Sequence, residues 1–392
     1  MLVRLIAGHV SIHACMAGTR LAAPLLALQQ GYSAAAVGVL LALFALTQVF
    51  LALPAGRYAD RHGLRRPVLF SVLAALVGAG LAAAWPIYPV FCAAALLTGG
   101  ATGTASISLQ RHVGRAAASP TQLKQVFSWL AIGPAVSNFL GPLCAGLMID
   151  HAGRSPADIT GYRAAFALMA LLPLCAWFWV RRVHELPPVV APQGAGAGKA
   201  WDLLRDPMMR RLLLVNWLVS SSWDVHTFIV PILGHERGLS ASAIGTILGA
   251  FAVAAALVRI AVPLLAAHLR EWAVVAGAMA STAVLFAVYP LVQAAWAMGV
   301  CSVLLGFALG SVQPMVMSTL HQITPEHRHG EALGLRLMSI NASSVLMPLL
   351  FGTAGALIGV TGLFWVFGLV VGAGTRAAWL LRPADPDRHP PR

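Results

Sequence analysis

The chain has 392 residues, of which 59% are hydrophobic and only 10% are charged, and its formal net charge is +13. A soluble globular protein carries about 25% charged residues, so this composition excludes an ordinary soluble protein and is typical of a helical membrane protein. Apolar runs recur along the chain, and each is long enough to cross a bilayer core of about 30 Å at about 1.5 Å per helical residue.

Twelve apolar runs follow one another in chain order. The first is too long for the core of a signal peptide and is not followed by a small-residue cleavage site, so we expect it to be a membrane helix. The runs cover approximately residues 5–28, 34–56, 67–86, 88–111, 123–149, 162–182, 211–233, 240–266, 272–290, 293–321, 331–357 and 361–381. The sequence therefore predicts an all-α membrane protein with twelve transmembrane helices in two pseudo-symmetric six-helix bundles.

A segment rich in proline and glycine separates the sixth run from the seventh, as is typical of a linker. Its last part, WDLLRDPMMRR, has the composition of an amphipathic piece that lies on a membrane surface. We therefore expect an N-terminal bundle at residues 1–183, a cytoplasmic linker at 184–210, a C-terminal bundle at 211–382 and a cytoplasmic tail at 383–392.

The basic residues lie mainly in alternate loops between the apolar runs. This placement is the positive-inside pattern, so the charge indicates orientation and not nucleic-acid binding, and both termini are predicted to be cytoplasmic. The five cysteines are scattered through apolar segments without CxxC spacing. Neither a disulfide framework nor a metal site is expected, and no cofactor is expected either.

Small residues repeat between the two halves at an almost constant offset. The pairs are Gly99 and Gly306, Gly103 and Gly310, Pro142 and Pro348, and Gly146 and Gly352, separated by 207 or 206 residues. A shared offset indicates a duplicated six-helix unit, and internal repeats with a site between them are a recurrent plan of transporters.

One polar stretch, GRYADRHGLRRP at residues 56–67, interrupts the apolar sequence between the second and third helices. It resembles the signature loop of the major facilitator superfamily, approximately Gly-x-x-x-Asp-Arg-x-Gly-Arg-Arg. Leu64 stands where that family usually has a basic residue, and Tyr58 where it usually has an aliphatic one. The residues that match are Gly56, Asp60, Arg61, Gly63, Arg65 and Arg66.

The resemblance implies that this loop acts as a conformational latch on the cytoplasmic side. Asp60 would dock near the start of the eleventh helix, around Gly330 and Glu331. A carboxylate at a helix end can accept hydrogen bonds from guanidiniums and from the free amides of another helix's N-terminus. The alternative is that the arginines of the loop only fix the topology.

The fifth helix contains GPAVSNFLGPLCAG, which looks like the Gly-Pro-rich motif of the proton-linked drug exporters in the same superfamily. Gly141, Pro142 and Gly146 fit that motif, whereas Ser137 and Ala145 replace expected glycines. The resemblance favours an exporter.

Ionisable residues in the bilayer core are costly unless they are paired or face water, so each one indicates function. Asp224 lies near the middle of the seventh helix, and Arg20 lies at a similar depth in the first helix, on the same face as His9 and His13. In the superfamily, these two helices face each other across the central cavity. Asp224 could carry the coupling proton, and Arg20 could hold an anionic group of the substrate. A purely structural ion pair is the alternative.

Several uncharged polar residues are further candidates for substrate or proton binding. His13, Asn138, Gln313 and Asn341 fall within helices, where they could bind substrate or hydrogen-bond neighbouring helices. Arg111 and Arg336 lie near cytoplasmic helix ends, where snorkelling explains them without a function.

Taken together, these features predict a secondary transporter of the major facilitator type in the inner membrane of a bacterium. No motif of an enzyme site or nucleotide-binding loop is present in the sequence, and a receptor or channel fits the duplication less well. We expect proton-coupled export of a small organic solute by a monomer that spans the lipid bilayer. Import of an organic anion is the alternative.

Overall fold

The computed structural model describes residues 1–153, 158–187, 200–239 and 241–382, with the side chains at 34, 35, 235, 241, 242 and 348–357 excepted. Residues 188–199 of the predicted linker and the predicted tail at 383–392 lie outside these residues. The described chain is helical, and it contains no strand in the ranges given.

Six long helices form the first half of the sequence. They are α1 (Leu2–Gln29), α2 (Ala34–His62), α3 (Arg65–Ala84), α4 (Tyr88–Ala116), α5 (Pro120–His151) and α6 (Ile159–Val180). Serine side chains cap two of them, because the Ser33 and Ser119 hydroxyls accept hydrogen bonds from backbone amides in the first turns of α2 and α5.

The described residues of the second half of the sequence contain five α-helices. They are α7 (Pro207–Glu236), α8 (Ala241–Leu265), α9 (Glu271–Val288), α10 (Ala295–Ile323) and α11 (His329–Trp379), with short 3-10 helices at Ala200–Arg205, Tyr289–Leu291 and Glu326–Arg328. Gly359 interrupts α11 with a φ of 69°, a left-handed conformation that glycine adopts without steric cost. This break lies between the eleventh and twelfth runs of the sequence.

Ten helical segments in the described part of the chain are long and apolar enough to cross a membrane. These segments are α1 to α6, α8, α9 with the 3-10 helix that follows it, α10, and the part of α11 from Ile358 to Trp379. The multi-pass helical architecture is therefore confirmed. Twelve crossings remain a prediction, because α7 and the earlier part of α11 are not among the ten.

The chain divides into two compact units. The first comprises residues 1–200 and 324–345, and the second comprises 201–323 and 346–392. The first unit thus contains α1 to α6 together with the beginning of α11, although the latter belongs to the second half of the sequence. The domain boundaries expected from the sequence remain predictions.

The same helix crossing occurs in both units. In the first unit, a Cβ on Gly99 of α4 would overlap the backbone carbonyl of Phe44 on α2. In the second, a Cβ on Gly306 of α10 would overlap the backbone carbonyl of Phe251 on α8. Both partners in the second crossing lie 207 positions after those in the first. The paired glycines therefore permit equivalent close helix packing.

Candidate functional site

The carboxylate of Asp60, in the last turn of α2, contacts three groups from other parts of the first unit. Its Oδ1 accepts hydrogen bonds from Nε of Arg111 at 2.6 Å and from the backbone N–H of Gly330 at 2.9 Å. Its Oδ2 accepts from the backbone N–H of Glu331 at 3.1 Å. We call this set the Asp60 clasp: the Asp60 and Arg111 side chains and the backbone amides of Gly330 and Glu331.

The Asp60 clasp is almost completely buried. The side chains of Arg111 and Asp60 are only 3% and 8% exposed, respectively. Arg111 also donates from Nη2 to the backbone carbonyl of Asp60, at 3.2 Å. The amides of Gly330 and Glu331 belong to the first turn of α11, where N–H groups have no partner within the helix and the helix dipole favours an anion. The carboxylate therefore occupies a site that stabilises negative charge from two sides.

Glycines allow α2 and α11 to meet at this point. A Cβ on Gly56 would overlap the backbone carbonyl of Gly330, and a Cβ on Gly330 would overlap the backbone carbonyl of Gly56. One turn further along α11, Gly334 approaches the carbonyl of Ala52 in the same way. Gly56 is thus required because the backbones of α2 and α11 lie too close together here for a residue with a Cβ.

A second group of charges surrounds the Asp60 clasp. Glu331 accepts from Nε of Arg57 at 2.8 Å and from Nε of Arg328 at 2.7 Å. Arg115, one turn after Arg111 on α4, forms an ion pair with Glu326 at 2.8 Å. Each of these pairs has a partly exposed member, so each stabilises less than the buried pair of Asp60 and Arg111.

The remaining residues of the signature loop have different surroundings. Gly63 ends α2 with a φ of 74°. Arg61 and Arg66 are exposed, while Arg65 donates from Nη2 to the carbonyl of Val183 at 2.9 Å. Leu64, where the resemblance leads one to expect a basic residue, is buried in an apolar cluster with Val183 and other residues. The departure from the family pattern therefore has a packing role.

Glu185 connects the segment after α6 to the start of α3. Its Oε1 accepts from the backbone N–H groups of Leu64 and Arg65, the latter at 3.2 Å. A carboxylate in this position satisfies amides at a helix N-terminus. Arg115 also donates to the carbonyl of Pro187, at 2.9 Å. The beginning of the predicted linker is thus held by the signature loop and by α4.

The motif in α5 packs against α1. A Cβ on Gly141 would overlap the backbone carbonyl of Ala14, whereas a Cβ on Gly146 would have no neighbour within 4 Å among the described residues. Pro142 lies within the helix and is half-buried. Ser137, which replaces an expected glycine, donates to the carbonyl of Val10 across the crossing at 3.2 Å. Only one of the two matching glycines is therefore needed for packing.

The polar candidates of the first unit are spread over several helices. Arg20 and Asn138 are exposed, and His13 is half-buried. The His13 ring lies edge-on to the ring of His9, with centroids 6.0 Å apart. Asn341 donates to the carbonyl of Leu337 in its own helix, at 2.9 Å. The roles of these residues in binding substrate or protons stay predictions.

The polar candidates of the second unit are Asp224 and Gln313, and both are half-buried. Asp224 lies near the middle of α7, next to Trp223, whose ring is 4.5 Å from that of Phe251. Arg20 belongs to the first unit and Asp224 to the second. Their predicted pairing stays a prediction.

Arg111 is the member of the Asp60 clasp that the sequence interpretation missed. The sequence led us to explain Arg111 by snorkelling to the membrane surface. That explanation is wrong for Arg111, because its side chain is buried against Asp60. Arg336 is buried as well. A signal was available, since Arg111 and Arg115 lie four residues apart, on one face of the cytoplasmic end of α4.

Comparison with known proteins agrees with this fold. A family model described as Major Facilitator Superfamily matches residues 5–219 and 212–392. The class E tetracycline resistance protein of Escherichia coli is 25% identical over 366 residues, covering 90% of this chain and 87% of that protein. The class B tetracycline resistance protein of the same organism is 34% identical over 151 residues, which cover 36% of this chain and only 34% of that relative.

Solved structures share the fold at low sequence identity. A bacterial homologue of the iron transporter ferroportin, in an outward-facing state, has a TM-score of 0.75 at 17% identity and covers 97% of this chain and 98% of its own. The human organic anion transporter MFSD10 (TETRAN) has a TM-score of 0.75 at 17% identity, with coverage of 96% and 99%. The proton:xylose symporter XylE has a TM-score of 0.74 at 14% identity, with coverage of 97% and 95%.

Proposed function

Because the chain belongs to the Major Facilitator Superfamily, we propose that its transport activity is the export of a small organic solute in exchange for protons. The lipid bilayer that it crosses is the inner membrane of a bacterium, with both termini in the cytoplasm. The chain acts as a monomer and requires no cofactor. It is a carrier and not an enzyme.

The observation that carries this proposal is the Asp60 clasp. It joins the end of α2 to the start of α11 through one buried carboxylate. A contact made of a few charge-assisted hydrogen bonds is strong when formed, yet it can be exchanged for water when the helices separate. The proposal assigns to it the role of a latch that forms and breaks during alternating access.

Export is supported by the similarity to the class E tetracycline resistance protein, which extends over 90% of the chain. The motif around Gly141 and Pro142 supports it as well. A tetracycline is therefore the first substrate to test. The proposal assigns the coupling proton to Asp224, the acid near the middle of α7, since an intramembrane carboxylate can alternate between charged and neutral forms.

The test is transport by the purified chain in proteoliposomes with an imposed pH gradient. The panel contains tetracycline, several lipophilic cations and several organic acids. We expect a drug-like compound to move in the direction opposite to the protons. We expect the Asp60→Asn variant to transport this compound much more slowly. Asp150→Asn, which changes an exposed acid on α5 in the same way, is the matched control. If neither the pH gradient nor Asp60 affects transport of any compound, the proposal is wrong.

Import of an organic anion is the second candidate. It is favoured by Arg20, an arginine within α1, because a guanidinium suits carboxylate and phosphate groups. Under this alternative, the organic acids of the panel enter together with protons, and Arg20→Gln abolishes their uptake. Tetracycline and the lipophilic cations then remain untransported.

A further inference from the structure

Three hydrogen-bonding side chains form a buried chain inside the second unit. Nε2 of His226 on α7 lies 2.9 Å from Oγ of Ser302 on α10, and this Oγ lies 2.9 Å from the phenol oxygen of Tyr289. All three side chains are fully buried. We call His226, Ser302 and Tyr289 the His226 chain. The imidazole is stacked on the ring of Phe251 from α8, with centroids 4.3 Å apart.

The Tyr289 end of the His226 chain lies close to the ends of α7 and α9. Tyr289 follows α9 directly. Arg237, which follows α7, donates to the backbone carbonyls of Pro290, at 2.5 Å, and Val292. His226 lies ten residues before the end of α7, which corresponds to a depth of about 15 Å. In the predicted topology, the Tyr289 end is periplasmic.

The imidazole of His226 forms fewer hydrogen bonds than its buried position requires, because one ring nitrogen has no partner among the described residues. Its Nδ1 is buried and has no hydrogen-bond partner within residues 1–153, 158–187, 200–239 and 241–382. An unsatisfied buried polar group is unfavourable, and an apolar side chain in this place would avoid it. When the ring hydrogen is on Nδ1, Nε2 is the nitrogen that can take up a further proton, and it faces the Ser302 hydroxyl.

In the described part of the chain, the side chains seen to contact the imidazole are uncharged. They are Phe251 from α8, Tyr289 after α9 and Ser302 from α10. Cys301 on α10 and Arg237 interact electrostatically with Tyr289. Asp224 lies two residues before His226 on α7, and the Arg259 guanidinium carbon lies 5.7 Å from the centre of the Trp223 ring. An imidazolium at this place is therefore disfavoured until water or a counter-charge reaches it.

We propose that His226 is a proton-binding site that exchanges protons with the predicted periplasmic end through Ser302 and Tyr289. The proposal rests on the proton-coupled transport proposed above and adds a second proton site to Asp224. In the tautomer with hydrogen on Nδ1, Nε2 accepts from the Ser302 hydroxyl, and Ser302 accepts from the Tyr289 hydroxyl.

Transfer along the His226 chain is balanced. A proton arriving at the Tyr289 oxygen allows Tyr289 to pass its own proton to Ser302, and Ser302 passes its own to Nε2. Both hydroxyls end unchanged, and the imidazole gains one proton and one positive charge. Because this charge is stabilised only when water enters the unit, proton binding favours an open conformation of the transporter.

The test follows ring-nitrogen NMR signals of the full chain in lipid bilayers, with ¹⁵N-labelled histidine, between pH 8 and pH 5. His226→Gln identifies the His226 signal among those of the 13 histidines. We expect imidazolium to appear toward the acid end of this range, in the molecules in which water reaches the ring. Ser302→Ala removes the acceptor of the charged ring and should lower the ratio of imidazolium to neutral ring by about tenfold at a given pH. Tyr289→Phe should slow the exchange.

Two variants make the same chemical changes elsewhere. Ser222→Ala removes a buried hydroxyl that bonds only to the carbonyl of Leu218 in its own helix among the contacts described for it, and Tyr88→Phe removes a phenol that bonds to the carbonyl of Ala36. Neither should change the His226 signal. A ring that stays neutral from pH 8 to pH 5 in the folded protein overturns the inference, as does a Ser302→Ala variant that titrates as the wild type does.

Failure of this inference is distinguishable from failure of the proposed function. If proteoliposomes show proton-driven transport while the His226 ring stays neutral, only the inference is wrong. If the ring titrates but no solute in the panel moves with protons, the binding site stands and the proposed function is wrong.

Discussion

The carboxylate of Asp60 accepts a hydrogen bond from the backbone N–H of Gly330 at 2.9 Å, across 270 residues of sequence. The same oxygen accepts from Arg111 at 2.6 Å. One side chain at the end of α2 therefore satisfies both a helix N-terminus and a buried guanidinium. Loss of this carboxylate affects two contacts at once.

Asp60→Asn should lower the free energy of unfolding by about 3 kcal/mol, because it leaves the Arg111 guanidinium buried without its counter-charge. Thermal unfolding in detergent measures this. In a double-mutant cycle, Asp60→Asn combined with Arg111→Gln should cost less than the sum of the single changes. Additive effects would show that the two side chains do not stabilise each other.

Gly56→Ala should disrupt the contact between α2 and α11, because the added Cβ would overlap the backbone of Gly330. We expect strongly reduced transport and a lower melting temperature. Gly80→Ala is the matched control, since a Cβ on this α3 glycine meets no atom within 4 Å in the part of the chain that the structure describes, and alanine is the better helix former by about 1 kcal/mol. Equal behaviour of the two variants would argue against close packing at Gly56.

The two glycines of the α5 motif should respond differently to substitution. Gly141→Ala places a Cβ against the carbonyl of Ala14 on α1 and should destabilise the first unit. Gly146→Ala places a Cβ that contacts none of the described residues and should be tolerated or slightly stabilising. Thermal unfolding of both variants is the measurement. Equal losses would mean that Gly146 also has a packing partner.

The general architecture could be predicted from the sequence because membrane helices are encoded locally. Length and hydrophobicity give the spans, and the left-handed Gly359 lies in the short interval between the last two predicted runs. The resemblance also directed attention to Asp60 and the start of α11. These inferences depend on patterns within a few dozen residues.

The partners of Asp60 could not be fully predicted, because they depend on how distant helices pack. A helix-end arginine such as Arg111 has the same local sequence context whether it extends to the surface or lies buried against a carboxylate. Similarly, Gly141 and Gly146 look equivalent in a motif, although only Gly141 meets a neighbouring backbone. Local spacing contains no information on these long-range contacts.

Asp224→Asn should uncouple transport from protons if Asp224 carries the coupling proton. The amide is similar in size and cannot change its charge, so the variant should still exchange substrate across the membrane but should no longer respond to a pH gradient. The measurement is the transport rate of the variant and of the wild type between about pH 5.5 and about pH 8.5. Persisting transport with an unchanged pH dependence would rule out this role.

The most direct measurement of the latch role is the distance between spin labels on either side of the Asp60 clasp. Exposed positions 61 and 325 accept the labels after the five native cysteines have been replaced. We predict a short and a long distance population in the wild type, with the short one depleted in Asp60→Asn and the balance shifted by pH. A single short distance that neither pH, a transported solute nor Asp60→Asn changes would contradict this prediction.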